Sequence, residues 1–159
     1  MAPDVLIILG SKTDAEVGKK AQSILKEFGI AHEMVVSSAH RTPDELQALV
    51  KGANAKVFIA IAGLSAALPG TIAAHTTRPV IGVPVSGKVN LDSILSVTQM
   101  PPGVPVAAVG LDRGENAALL AVEILALSDP ALGKKLQEHR EAMKRWVHED
   151  SRSLGEPGV

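Results

Sequence analysis

Five short apolar runs punctuate the chain. VLIIL (5–9), VFIAIA (57–62), PVIGVPV (79–85) and VPVAAVG (104–110) are nearly continuous rather than alternating, and HEMVVS (32–37) is a fifth. A strand covered on both faces has no polar side, so these runs predict strands of a parallel sheet. Between them, apolar positions recur at helical spacing over 14–28, 43–53, 66–76, 92–98 and 115–127. Strands alternating with helices predict an α/β domain whose sheet carries helices on both faces, joined by right-handed crossovers. A last helix is expected over 130–150, where Leu132, Leu136, Met143 and Val147 share one face. The rest of its surface is charged, so it is expected to lie across a surface of this chain or of a neighbouring subunit. The chain thus reads as one domain over 1–159, with a core over 4–128, a helical extension over 130–150 and a flexible tail over 151–159.

Two helix starts are marked by T-x-x-E patterns, Thr13 with Glu16 and Thr42 with Glu45, the second with Pro43 at the first helical position. These starts put GSKTD (10–14) in the turn after the first strand and His40-Arg41 in the turn after the second. GLSAALPG (63–70) follows the third strand in the same way. Ligands of open α/β sheets bind outside the carboxyl ends of the strands. Three ligand-competent turns therefore meet at one edge. The uncharged stretch 57–74 has the length of a membrane span, but Gly63, Ser65, Pro69, Gly70 and Thr71 interrupt it. It reads better as a buried strand, a small-residue loop and a helix.

Composition narrows the chemistry. Of 159 residues, 21% are charged and 46% hydrophobic, with net charge −1, as in a globular chain that binds neither nucleic acid nor membrane. The only aromatics, Phe28, Phe58 and Trp146, are too few for a base-stacking platform. The absence of cysteine removes disulfides, thiolate nucleophiles and Cys-ligated zinc. His32, His40, His75, His139 and His148 lack metal-ligand spacing, so no metal is expected. A start that runs into a strand without a basic leader gives a cytoplasmic expectation.

At the edge, Ser11, Thr13 and Asp14 either cap a helix or, with Lys12 and Arg41, hold a phosphate at its N-terminus. Asp14 repels phosphate but suits a pair of ribose hydroxyls. His40 is either satisfied by backbone or a proton shuttle, and the adjacent Arg41 favours a neutral base. Ser37 and Ser38 add hydroxyls, whereas His75, His139 and His148 fall in expected helices. Gly63 to Gly70 carry no ionisable group, which suits either a flat ring or a packed subunit contact. The segment 87–103 reads as a loop able to close over a ligand. These residues alone describe a metal-free domain that binds a phosphorylated small molecule and has one histidine for proton transfer.

GSKTD, SSAHRTPDEL, IAGLSAALPG, PVIGVPV, DSILSVTQMPPGVPVA and ENAALLAVEIL together resemble the bacterial and archaeal family of 5-(carboxyamino)imidazole ribonucleotide mutases and aminoimidazole ribonucleotide carboxylases of purine biosynthesis. The resemblance runs from Val5 to Leu127. It implies a flavodoxin-like three-layer α/β/α domain assembled as a homo-octamer, acting on aminoimidazole ribonucleotide derivatives and carbon dioxide without metal or organic cofactor. It also implies that His40 carries the proton, that Ser11, Asp14 and Arg41 bind the nucleotide, and that Thr13 and Ser38 line the phosphate site. Gly63 and Ser65 would belong to a small pocket suited to carbon dioxide. The match departs at two places. Mutases read G-G-x-x-H-L-P-G where this chain has Ala67 in place of the histidine; carboxylases read G-R-S-N-x-L where it keeps Ser65 but has Leu64 and Ala66; and the loop Ser86 to Asn90 is shorter than in mutases. The mutase is the expected activity. Direct carboxylation by carbon dioxide and a non-catalytic nucleotide-binding module are the alternatives.

Overall fold

The computed structural model describes residues 2–155. The chain divides into two compact units, one ending at Val122 and one beginning at Glu123. The first holds strands β1 (Val5–Leu9), β2 (His32–Val36), β3 (Val57–Gly63), β4 (Val80–Val85) and β5 (Ala107–Ala108). Its helices are α1 (Ala15–Phe28), preceded by a 3-10 turn at Lys12–Asp14, then α2 (Pro43–Gly52), α3 (Leu68–Ala73) and α4 (Asn90–Thr98). Helix α5 (Gly114–Ala126) begins in this unit. All strands are parallel, in the order β2-β1-β3-β4-β5, the flavodoxin-like arrangement.

The continuous apolar runs behave as their pattern requires. Every residue of β1 and every residue of β3 from Val57 to Ala62 is buried. Alternation then splits each strand between two cores. Leu6, Ile8, Phe58 and Ala60 join Leu46 and Val50 of α2, Leu68 and Ile72 of α3, and Val97 of α4. On the opposite face, α1 comes so close that a Cβ on Gly18 would lie 2.6 Å from Met34 Sδ and 3.0 Å from Leu9 Cδ2. Gly114, at the start of α5, is tighter still: its Cβ would meet Val17 O at 2.1 Å, so helix meets helix backbone to backbone. A glycine is required there.

Three expectations change. The run 104–110 was expected to be a buried strand, but only Ala107 and Ala108 pair, and both are exposed. Within the run, Pro105 lacks the N–H a central strand donates, which suits the sheet edge where this segment lies. Helix α3 spans six residues, not eleven, and His75 lies in the turn after it. The T-x-x-E patterns do not form the expected boxes. The capping box is Ser11 with Asp14, two residues earlier, and Thr42 makes no cap bond because its hydroxyl turns back to Ser38. Among the described residues, no helix is long and apolar enough to cross a membrane.

The second unit contains the end of α5 and helix α6 (Pro130–Leu154). Asp129 caps α6 by accepting the Ala131 N–H at 3.0 Å, with Pro130 at the first helical position. Leu132 is buried and Leu136 half-buried, but Met143 and Val147 are exposed, so the shared apolar face is covered only at its start. The helix continues past the expected end at 150 to Leu154 and stops where Gly155 donates to Ser151 and Arg152 carbonyls. The remainder of the expected tail, 156–159, lies outside the described residues.

Candidate active site

The order β2-β1-β3 makes the chain reverse direction between β1 and β3, which is where flavodoxin-like sheets leave a crevice. A cavity of about 520 Å³ lies there, within the size range of small-ligand sites. The turns after β1, β2 and β3 all line it, and so does a fourth, Val85 to Gly87 after β4. All eight candidate residues are brought together: Ser11, Thr13, Asp14, Ser38, His40, Arg41, Gly63 and Ser65 line this one cavity.

The β1 turn is ordered by its own polar groups. Ser11 donates its N–H to Asp14 Oδ2 at 3.0 Å, and the Thr13 N–H reaches Ser11 Oγ at 3.4 Å. The Thr13 hydroxyl adds a bond to Asp14 Oδ1 at 3.4 Å. Asp14 is 7% exposed. Burial pushes its carboxyl above the ordinary 3.8, opposed by the Ser11 N–H, the Thr13 hydroxyl and the Arg41 charge. A carboxylate held this way has its geometry fixed before a ligand arrives.

Arg41 ties this turn to the next. Its Nη2 donates to Gly10 O at 2.8 Å, and its Nε donates to Ser38 Oγ at 3.2 Å. Its backbone N–H also reaches Ser38 Oγ, at 3.2 Å. Two of the donors expected to grip a phosphate therefore hold the β1 turn and the β2 loop together. Nη1 and the charge itself remain for a ligand. Thr42 closes the loop from the other side, accepting the Ser38 N–H at 3.1 Å and donating to Ser38 O at 3.3 Å. His40 sits exposed at the crest of this braced loop. Ser37 is buried at its base, and its hydroxyl has no hydrogen-bond partner among the described residues.

The facing wall is different in kind. Ala62, Ala67, Leu68 and Val85 present no polar side-chain atom, and Ser65 is the one hydroxyl of the β3 turn in the lining. A Cβ on Gly63 would come within 3.3 Å of Val85 O, so glycine lets the ends of β3 and β4 close together. Leu64 has φ 54° and is 77% exposed. Left-handed backbone costs a side-chain-bearing residue about 1–2 kcal/mol, and leaving a leucine in water forgoes roughly 1.5–3 kcal/mol of burial.

Of the fourth turn, Gly87 opens the segment 87–103 expected to close over a ligand, but Val85 and Ser86 were not candidate residues, although a strand ending in Val85-Ser86-Gly87 carries the same strand-then-small-residue signal as the other three. The turn is pinned from a distance. Ser86 donates its N–H to Asp112 Oδ1 at 2.8 Å, and Gly87 donates to Asn90 Oδ1 at 2.9 Å. Asp112 has φ 58°, a conformation aspartate tolerates better than most residues, and its N–H donates to Pro84 O at 2.9 Å. Among the described residues, no group of three or more His, Cys, Asp or Glu is placed to share a metal ion.

A family model described as AIR carboxylase matches residues 4–146. The N5-carboxyaminoimidazole ribonucleotide mutase of Methanocaldococcus jannaschii is 56% identical over 96% of this chain and 98% of its own. The enzyme of that name from Thermotoga maritima is 46% identical over 98% of this chain and 94% of its own. The crystal structure of Treponema denticola PurE superposes with a TM-score of 0.86 at 30% identity, covering 95% of this chain and 98% of that one. With a family model matched over most of its length and relatives this similar end to end, the chain belongs to the AIR carboxylase family.

Proposed function

We propose that this chain is an N5-carboxyaminoimidazole ribonucleotide mutase of purine biosynthesis, converting that nucleotide to 4-carboxy-5-aminoimidazole ribonucleotide. The observation that carries the reading is a single cavity with two unlike walls. One offers a cation, hydroxyls, a carboxylate and an imidazole, and the other is almost entirely apolar. The relatives carrying the mutase name are 56% and 46% identical to this chain, which favours the mutase over direct carboxylation.

In this reading the phosphate lies near Ser11, Thr13, Ser38 and the Arg41 guanidinium, and Asp14 accepts from ribose hydroxyls. The bond between N5 and its carboxyl carbon breaks, releasing carbon dioxide and leaving the electron pair on N5. C4 of the imidazole then uses its ring π electrons to form the new carbon–carbon bond. His40 removes the C4 proton, restoring aromaticity, and N5 gains a proton, so the conversion is a net isomerisation. Ser65 and the apolar wall hold the carbon dioxide between the two steps. Little is asked of the protein beyond positioning and one proton carrier.

The enzyme is further proposed to work in the cytoplasm as a homo-octamer, for which sedimentation giving a stable monomer is the contrary result. The activity is tested from two starting points. N5-carboxyaminoimidazole ribonucleotide, free of added bicarbonate, should give the C4-carboxylated product faster than it decarboxylates spontaneously. Product formed only from aminoimidazole ribonucleotide with abundant carbon dioxide would make the chain a carboxylase. Binding of either nucleotide with no product would leave a binding module.

A further inference from the structure

Two non-glycine residues among those described hold positive φ: Leu64 at 54°, which lines the cavity, and Asp112 at 58°, which bonds the lining residue Ser86. Asp112 has a side-chain reason, because its carboxylate holds the Ser86 N–H at 2.8 Å. Leu64 has none of that kind. A leucine offers no hydrogen bond to offset a left-handed backbone, and this one is 77% exposed, so it gains little burial either. Leu64 is nonetheless one of the residues that line the cavity, in the β3 turn. The topology sets that turn on one side of the β1 turn and the His40 loop on the other.

We propose that Leu64 governs product partition, covering the carbon dioxide released in the cavity so that it is captured at C4 rather than lost to solvent. This rests on the mutase reading above and names a residue for its least protected step. Carbon dioxide has no net dipole or charge, so a hydrogen bond from Ser65 holds it only weakly. What holds it is an apolar enclosure that excludes water. Ala62, Ala67, Leu68 and Val85 make the floor of such an enclosure. Alanine at 67 adds no bulk or polarity to that floor, which leaves the large side chain at 64 as the wall's available cover. Once the imidazole is seated, an exposed leucine at the rim has something to pack against, and its burial is deferred until the ligand arrives.

The test is a single-turnover reaction of excess enzyme with N5-carboxyaminoimidazole ribonucleotide in carbon dioxide-free buffer. It reads the ratio of aminoimidazole ribonucleotide released to C4-carboxylated product formed. Leu64→Gly removes the cover and relieves the backbone, so its melting temperature should not fall. Its ratio should rise several-fold over wild type. Leu64→Asn, which tolerates the same φ but is polar, should do likewise, and Leu64→Met should stay near wild type. The proposal is overturned if the first two variants partition like wild type, whether or not their oligomeric state changes. It is equally overturned if they neither form product nor release aminoimidazole ribonucleotide above the spontaneous rate. A wild-type protein that forms no carboxylated product would sink the mutase reading and Leu64 with it. A productive wild type with unaltered variants sinks Leu64 alone.

Discussion

The two walls of the cavity are built by opposite means. The wall from the β1 and β2 turns is over-determined: Arg41, Ser38, Thr42, Ser11 and Asp14 bind one another before any ligand arrives. The wall from the β3 turn has no ionisable side chain, and its largest exposed residue sits on strained backbone. Polar groups must be aimed to be useful, and aiming takes a network. An apolar surface acts by excluding water and needs no partner of its own. Substitutions on the first wall should therefore change binding or proton transfer, and those on the second should change what becomes of the intermediate.

The sharpest way to break that division is at His40. His40→Asn should lower kcat by about 10²–10⁴-fold, the usual contribution of one general acid–base group. Calorimetry should find aminoimidazole ribonucleotide still bound with little change. A variant that loses binding and turnover together would return His40 to a merely structural role.

Arg41→Ala comes next. Losing charge-assisted hydrogen bonds of roughly 1.5–3 kcal/mol each should raise KM by about 10–100-fold. Removing the tie between Gly10 O and Ser38 Oγ should also lower the melting temperature slightly. Arg41→Lys should recover only part of either, because an ammonium cannot span both acceptors as the planar fork does. Full recovery by lysine would show that charge alone matters on this wall.

Asp14 separates binding from stability. Its carboxyl is raised by burial, so the folded chain holds that proton more tightly than the unfolded chain. The resulting stability is fully present below the ordinary 3.8 and is lost as pH rises through the higher folded value. Above that value the group is a carboxylate that burial disfavours. Asp14→Asn should then leave the melting temperature at pH 7 unchanged or higher, while weakening nucleotide binding about tenfold for the lost ribose acceptor. A lower melting temperature at pH 7 would mean that the Ser11 and Thr13 bonds outweigh burial.

The smallest effect is expected at the rim. Asp112→Gly keeps the positive φ but removes the acceptor of the Ser86 N–H. One such bond is worth about 1 kcal/mol, so KM should rise by about fivefold at most, with kcat nearly unchanged. Asp112→Asn, which retains an acceptor and tolerates the conformation, should stay close to wild type.

Much of this was legible in the sequence because periodicity and strand ends are local properties. β1 matches the run VLIIL residue for residue, and the eight candidate residues share one cavity because each follows a strand in the same sense. What was not legible depended on partners distant in sequence. Thr42 could cap α2 or brace Ser38, and only the loop's path decides for Ser38. The run 104–110 has the composition of a buried strand, but its place at the sheet edge leaves it exposed. Asp112's hold on Ser86 spans 26 residues, and no local pattern announces it. Leu64 could be flagged as a departure, but its left-handed backbone appears only in three dimensions.

The central claim is that the carboxyl group stays in the cavity while it moves from N5 to C4. The most direct measurement is label retention. N5-carboxyaminoimidazole ribonucleotide carrying a ¹³C-labelled carboxyl would be turned over in buffer saturated with unlabelled bicarbonate, and the product's C4 carboxyl read by mass spectrometry. The account predicts that the product keeps most of the label. Product carrying only solvent-derived carbon would contradict it, and would mean that carbon dioxide enters from outside.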